Sequence, residues 1–255
     1  MNYNHTPDAK IAIKKIGLIK DKLGASYAAY LVLPNVVLTL ADARGFGDAV
    51  FYSPHQTQLK QWQTEVKAIM KILDTLDCCH VFGISQNSLG LDYISYDFIS
   101  KPGLKNTLGR YSFLDQKACQ SMLEVNFMST SPSPMEILKH LPALQKYDDE
   151  TIGHILSGIG LGYPEQAILD QAEVLELENQ GQEPEVLDAK IWGADFYDCP
   201  QPIYSFLPAS KNIPGIVSHQ KLWSQILKDF YNSDFYKNLA KNSIFDDTIK
   251  TLTKS

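Results

Sequence analysis

The hydrophobic pattern of the chain changes its period between residues 27 and 76, and no other feature constrains the fold as strongly. Near-continuous apolar runs at 27–33, 36–40 and 49–53 predict three strands that are buried on both faces. A helical stripe follows, with apolar side chains spaced three or four residues apart: Leu59, Trp62, Val66, Ile69, Leu73 and Leu76. Strands beside such a helix predict a sheet with the helix packed on it.

Two further strands are predicted at 79–85 and 91–100, joined by turn residues at 86–90. Beyond residue 103 the pattern becomes mostly helical, and a cluster of helix-breaking residues at 129–134 marks the best internal boundary. We therefore predict an α+β protein in which helices pack on a mixed or antiparallel five-strand sheet. The sheet region covers 1–130, a mainly helical subdomain covers 131–255, and the two form one compact unit.

The first predicted helix is amphipathic and basic. It begins after Thr6 and ends at Gly24, and apolar residues recur along one face. The opposite face carries five lysines: Lys10, Lys14, Lys15, Lys20 and Lys22. A helix of this kind can lie on anionic lipid, but a solvated face above a buried stripe is the commoner case. We interpret the lysines as solvated.

Charge is distributed very unevenly along the chain. The 43 residues between Lys146 and Lys190 contain eleven carboxylates and neither lysine nor arginine, so this segment carries −11 and the rest of the chain +5. Such a concentration of negative charge favours basic partners and repels phosphate backbones, which argues against nucleic acid. The first function hypothesis is therefore a soluble interaction protein that presents an acidic helical surface to a basic partner.

The second hypothesis is an enzyme, a hydrolase or transferase acting on a small polar substrate. The loop from Asp42 to Asp48 combines glycines with Arg44, which could bind a carboxylate or phosphate, and His55 follows the third predicted strand. Cys78 and His80 would share a face of an extended segment, where an imidazole could activate the thiol. A pocket near Arg44, His55, Cys78 and His80 would support catalysis, with Asp42 in a ligand-binding position.

Two segments of the later half are weaker candidates. Gly160, Gly162 and Tyr163 belong to a glycine-rich string before a predicted helix, which could cradle an anion but is also typical of a helix C-terminus. Near it, one helical turn offers carboxylates and an imidazole for a divalent ion: Asp148, Asp149, Glu150 and His154. Capping and the helix dipole explain carboxylates at that position equally well. The sequence requires no cofactor, although a divalent metal would fit here.

The expected compartment follows from the cysteines and the amino terminus. Four cysteines, two of them adjacent, are too few and too irregular for a disulfide framework, which favours a reducing compartment. The first ten residues lack the apolar core of a signal peptide, and no apolar run is long enough to cross a membrane. We expect a cytoplasmic protein, with secretion by a signal-peptide-independent route as the alternative.

Overall fold

The structure is a computed structural model of the 255-residue chain. It describes residues 6–52, 56–76, 80–82, 93–108, 111–112, 142–163, 165–182, 189–191, 204–206 and 214–241. The chain divides into two units, Met1–Leu104 with Asp229–Ser255, and Lys105–Lys228. The boundary predicted at residue 130 lies outside the described residues.

Helices account for most of the described residues. In chain order they are α1 Ala9–Leu23, α2 Ala25–Ala29, α3 Pro34–Leu40, α4 Gln56–Asp74, α5 Lys101–Leu108, α6 Asp149–Leu161, α7 Glu165–Asn179, α8 Pro214–Asn232 and α9 Asp234–Ala240. A short 3-10 helix, Pro142–Leu144, precedes α6. Within the described part of the chain, sheet structure is therefore the minor component.

The strands form two small antiparallel sheets. In the first unit, β1 Phe46–Tyr52, β2 His80–Phe82 and β3 Tyr93–Ile99 form a three-stranded sheet in the order β1-β3-β2. In the second unit, β4 Ala189–Ile191 pairs with β5 Tyr204–Phe206. β3 is the central strand of the larger sheet, because its residue Ile99 lies opposite both Phe46 and His80.

The predicted α+β fold with a five-strand sheet is wrong. Two of the apolar runs that predict strands, 27–33 and 36–40, lie largely in or beside α2 and α3, which are helices. The physical reason is burial, since α3 is surrounded by protein and its residues Val36, Val37, Leu38 and Leu40 are all inaccessible to solvent. A helix buried on every side has the same continuous apolar sequence as a buried strand, and Pro34 supplies the fixed φ of a first helical turn.

The core of the first unit lies between α1, α3 and the sheet. α1 contributes its buried residues Ala12, Ile16 and Ile19, and it begins where the Asp8 carboxylate accepts a hydrogen bond from the Lys10 N–H at 2.8 Å. β1 approaches α3 so closely that a Cβ at Gly47 would lie 2.5 Å from the Asn35 carbonyl oxygen. Only glycine permits this distance between the strand and the helix.

The second unit contains a helical hairpin made of α6 and α7. Ile155 and Ile159 of α6 and Ile168 of α7 are buried in it. The helices meet at Gly158, where a Cβ would lie 2.8 Å from Cγ1 of Ile168. α6 is capped at its C-terminus by Gly162, whose φ of 75° is left-handed.

Candidate functional site

Asp42, predicted to bind a ligand, is part of a buried ionic network. It is 2% exposed, and its Oδ1 atom lies 2.8 Å from Nζ of Lys15, which is itself only 8% exposed. The Ser100 hydroxyl donates to the same Asp42 oxygen at 2.5 Å. The interpretation of Lys15 as a solvated lysine is therefore wrong, because its ammonium compensates a buried carboxylate that would otherwise be costly.

The Arg44 side chain is also buried and hydrogen-bonded within the fold. It is 2% exposed, and its Nη1 donates to Oδ1 of Asn35 in α3 at 2.7 Å. Its backbone is equally confined, since a Cβ at Gly103 would lie 2.1 Å from the Arg44 carbonyl oxygen. The 42–45 loop is thus a tightly packed joint between α1, α3 and the start of α5. A buried guanidinium with a protein partner is poorly placed to bind a substrate anion.

The other predicted catalytic residues are only partly placed. His55 and Cys78 lie outside the described residues, and for His80 the structure describes the backbone, at the start of β2. The convergence of these groups on one pocket stays a prediction. Arg44, the one member whose side chain is described, is tied to Asn35.

The glycine string forms a helix C-terminus. Gly160 lies inside α6, while the N–H groups of Gly162 and Tyr163 donate to the carbonyls of Ile159 at 3.0 Å and Gly158 at 2.9 Å. The Tyr163 carbonyl in turn accepts a hydrogen bond from the Tyr111 hydroxyl at 2.7 Å. These N–H groups already have acceptors, so the geometry does not favour the predicted anion cradle.

The predicted metal ligands begin with a capping residue. Oδ1 of Asp148 accepts from the Thr151 N–H at 2.7 Å, and Oδ2 accepts from the Asn179 side chain at 2.7 Å. The hydrogen bond from the Thr151 backbone is the main cause of a lowered pKa of the Asp148 carboxyl. Asp149, Glu150 and His154 are exposed, and nowhere among the residues with described positions do three metal-ligating side chains gather.

The acidic segment does reach the surface. We define the acidic surface as five of the exposed or half-exposed carboxylates of α6 and α7: Asp149, Glu150, Glu173, Glu176 and Glu178. Residues 147–182 contain no lysine or arginine, so these charges have no cation on their own helices. On α7, the half-exposed Leu169 and Leu177 share a face with Glu173 and Glu176. The acidic surface therefore combines negative charge with apolar contact area.

A second surface feature lies along α1 in the first unit. We call it the basic groove; it is open to solvent and has a volume of about 900 Å³. Its lining includes apolar side chains and three lysines that are not part of the buried ion pair: Ile11, Leu18, Leu76, Phe235, Lys10, Lys14 and Lys20. The sequence showed these lysines but not the groove, because Leu76 and Phe235 are distant in the chain.

Comparison with known proteins yields no significant match for this chain. No family model matches it, and neither the curated proteins nor the solved structures include a significant match. Across the helices that the structure describes, none is both long enough and apolar enough to cross a membrane.

Proposed function

We propose that this protein is an interaction protein whose acidic surface binds a basic protein partner. The observation that carries the proposal is the set of accessible carboxylates on α6 and α7 within 36 residues, 147–182, that lack any lysine or arginine. Negative charge arranged in this way steers a basic partner during encounter and penalises acidic ones. It equally disfavours nucleic acid as a partner.

The apolar component supports binding beyond simple electrostatic attraction. Leu169 and Leu177 are half-exposed beside Glu173 and Glu176. Because an apolar centre with a charged rim is the usual composition of a protein interface, the proposed partner presents both lysine or arginine and apolar side chains. The scarcity of cysteine fits a reducing compartment, so we place this interaction in the cytoplasm, with signal-peptide-independent secretion as the alternative.

The test is binding of a lysine-rich amphipathic helical peptide to the full chain, measured by calorimetry at low and physiological salt. Glu173→Gln with Glu176→Gln should weaken binding about threefold to tenfold, since exposed ion pairs contribute about 0.2–1 kcal/mol each. The wild-type affinity should also fall as salt rises.

The matched control removes two exposed carboxylates of the first unit that do not line the basic groove, Asp229→Asn with Asp234→Asn, which gives the same net charge. We expect the control to bind the peptide like the wild type. Equal weakening by both pairs would mean that only net charge matters, and salt-independent binding would remove the electrostatic basis of the proposal. Circular dichroism should show all variants folded.

A further inference from the structure

The acidic surface and the basic groove have complementary chemistry although they lie in different units of the chain. α1 carries five lysines and one aspartate, and α7 carries five carboxylates and no cation. We propose that the partner of the acidic surface is the basic groove of a second copy of this chain. This inference rests on the proposed function and names its partner.

The basic groove offers both parts of such an interface. Ile11, Lys14 and Leu18 share one face of α1, and Ile11 and Leu18 are half-exposed. Lys10 and Lys14 are exposed, whereas the Lys15 ammonium is held by Asp42. Lys20 lies with its Nζ 5.7 Å from the centre of the Phe235 ring. The groove therefore presents cations on the border of an apolar floor.

The acidic surface matches this arrangement in length and pattern. α1 and α7 are both 15 residues long, which corresponds to about 22 Å at a rise of 1.5 Å per residue. Leu169 and Leu177 can contact the groove floor while Glu173 and Glu176 reach the lysines. A helix that lays a mixed apolar and charged face into a groove is a common mode of recognition.

The open form of the groove favours a helix over a small anionic amphiphile such as a fatty acid. Sites for small molecules enclose most of their ligand, whereas this groove is lined by α1 together with Leu76, Pro102 and Phe235 and opens to solvent. A helical occupant needs no enclosure, because its other faces remain in water. Charge complementarity within one sequence makes a second copy the occupant with the chemistry that the groove requires.

The experiment is complementation between two charge-reversed full-length variants, followed by sedimentation velocity. The groove variant is Lys10→Glu with Lys14→Glu, and the surface variant is Glu173→Lys with Glu176→Lys. The wild type should self-associate with increasing concentration and dissociate with added salt. Each variant alone should self-associate about tenfold more weakly or worse, because like charges then face each other.

An equimolar mixture of the two variants should associate one to one, since the mixture contains one intact groove and one intact acidic surface. The matched control reverses two exposed lysines of α4, Lys60→Glu with Lys67→Glu, and should self-associate like the wild type. Association of the mixed variants, together with wild-type self-association of the control, would support the proposal.

Three results would overturn it: a wild type that stays monomeric, a mixture that does not associate, or a control as defective as the groove variant. Binding of the lysine-rich peptide separates this failure from failure of the proposed function. A monomeric wild type that still binds the peptide through Glu173 and Glu176 keeps the acidic surface and excludes the second copy. Binding of oleate that the groove variant weakens, without self-association, would make the groove a lipid site.

Discussion

The charged residues of two regions lie in opposite environments: those around the 42–45 loop of the first unit are buried, and those of the acidic surface in the second unit are accessible. In the first unit, Asp42, Lys15 and Arg44 are buried, and each has a partner within hydrogen-bonding distance. In the second unit, the carboxylates of the acidic surface reach solvent. The 42–45 loop, whose composition is typical of a binding site, is packed inside the fold. The acidic surface, whose composition names no chemistry, is accessible.

This contrast shows that residue type does not identify a functional charge. A buried carboxylate is stable only with a cation and hydrogen-bond donors, and Asp42 has both in Lys15 and Ser100. Exposed carboxylates need no partner, because water solvates them. Removal of a buried charge beside the 42–45 loop should therefore alter stability, whereas removal of an accessible charge of the acidic surface should alter binding.

The largest expected effect is the loss of the Lys15 ammonium. Lys15→Met leaves Asp42 buried without its cation, which should lower the free energy of unfolding by about 3–5 kcal/mol in urea titrations. Lys14→Met is the matched control, because Lys14 is exposed on the same helix, and its effect should stay within about 0.5 kcal/mol.

A double variant checks the cause. Asp42→Asn removes the uncompensated charge, tolerates the left-handed φ of 61° at this position, and can still accept the Ser100 hydroxyl. Adding it to Lys15→Met should restore more than half of the lost stability. Equal losses for Lys14→Met and Lys15→Met would contradict the contrast between buried and exposed lysines.

The second effect concerns the backbone of the same joint. Gly103→Ala places a methyl group 2.1 Å from the Arg44 carbonyl oxygen, so α5 or the 42–45 loop must shift. The expected cost is about 1–3 kcal/mol, as for other overpacked sites. Chemical denaturation of the variant measures it.

The control is a glycine-to-alanine substitution that should raise the free energy of unfolding. A Cβ at Gly153 in α6 meets nothing within 4 Å, so Gly153→Ala should stabilise the protein by about 0.5–1 kcal/mol through the better helix propensity of alanine. Stabilisation by both substitutions would mean that the joint is looser than its geometry indicates.

Sequence periodicity predicts a helix correctly where the helix has one solvent-exposed face and one buried face. The stripe at 59–76 predicts a helix, and α4 Gln56–Asp74 lies there, with Trp62, Val66, Ile69 and Leu73 buried. Residues 36–40 of α3 are all buried, so its continuous apolar sequence carries no helical period and predicts a strand. Its helical form depends on packing against α1 and β1, which local sequence does not encode.

The candidate sites also differ in whether the sequence could predict them. The acidic surface could be predicted because its charges are neighbours in sequence. The buried network could not, since Asp42 is 27 residues from Lys15 and 58 from Ser100. The basic groove likewise depends on Leu76 and Phe235 meeting α1 through the fold.

The smallest predicted effect concerns Asp148, a carboxylate that is neither buried like Asp42 nor without hydrogen-bond partners. Asp148 lies in the acidic segment, but its carboxylate accepts hydrogen bonds from neighbouring residues. The hydrogen bond from the Thr151 N–H is the largest cause of a pKa below the ordinary 3.8. A lowered pKa in the folded state means that the ionised cap stabilises the protein above about pH 4. That contribution is lost as the pH falls through the lowered pKa. An NMR titration of the Asp148 carboxyl should therefore give a midpoint below 3.8.

Two substitutions separate the cap from the rest of the segment. Asp148→Asn can still accept the Thr151 N–H but does not titrate, so the stability of this variant should fall less steeply below pH 4 than that of the wild type. Asn179→Ala removes only the bond to Oδ2, a weaker cause of the lowered pKa, and should raise the Asp148 midpoint only slightly. A wild-type midpoint at or above 3.8 would mean that Asp148 behaves as one more solvated carboxylate of the acidic segment.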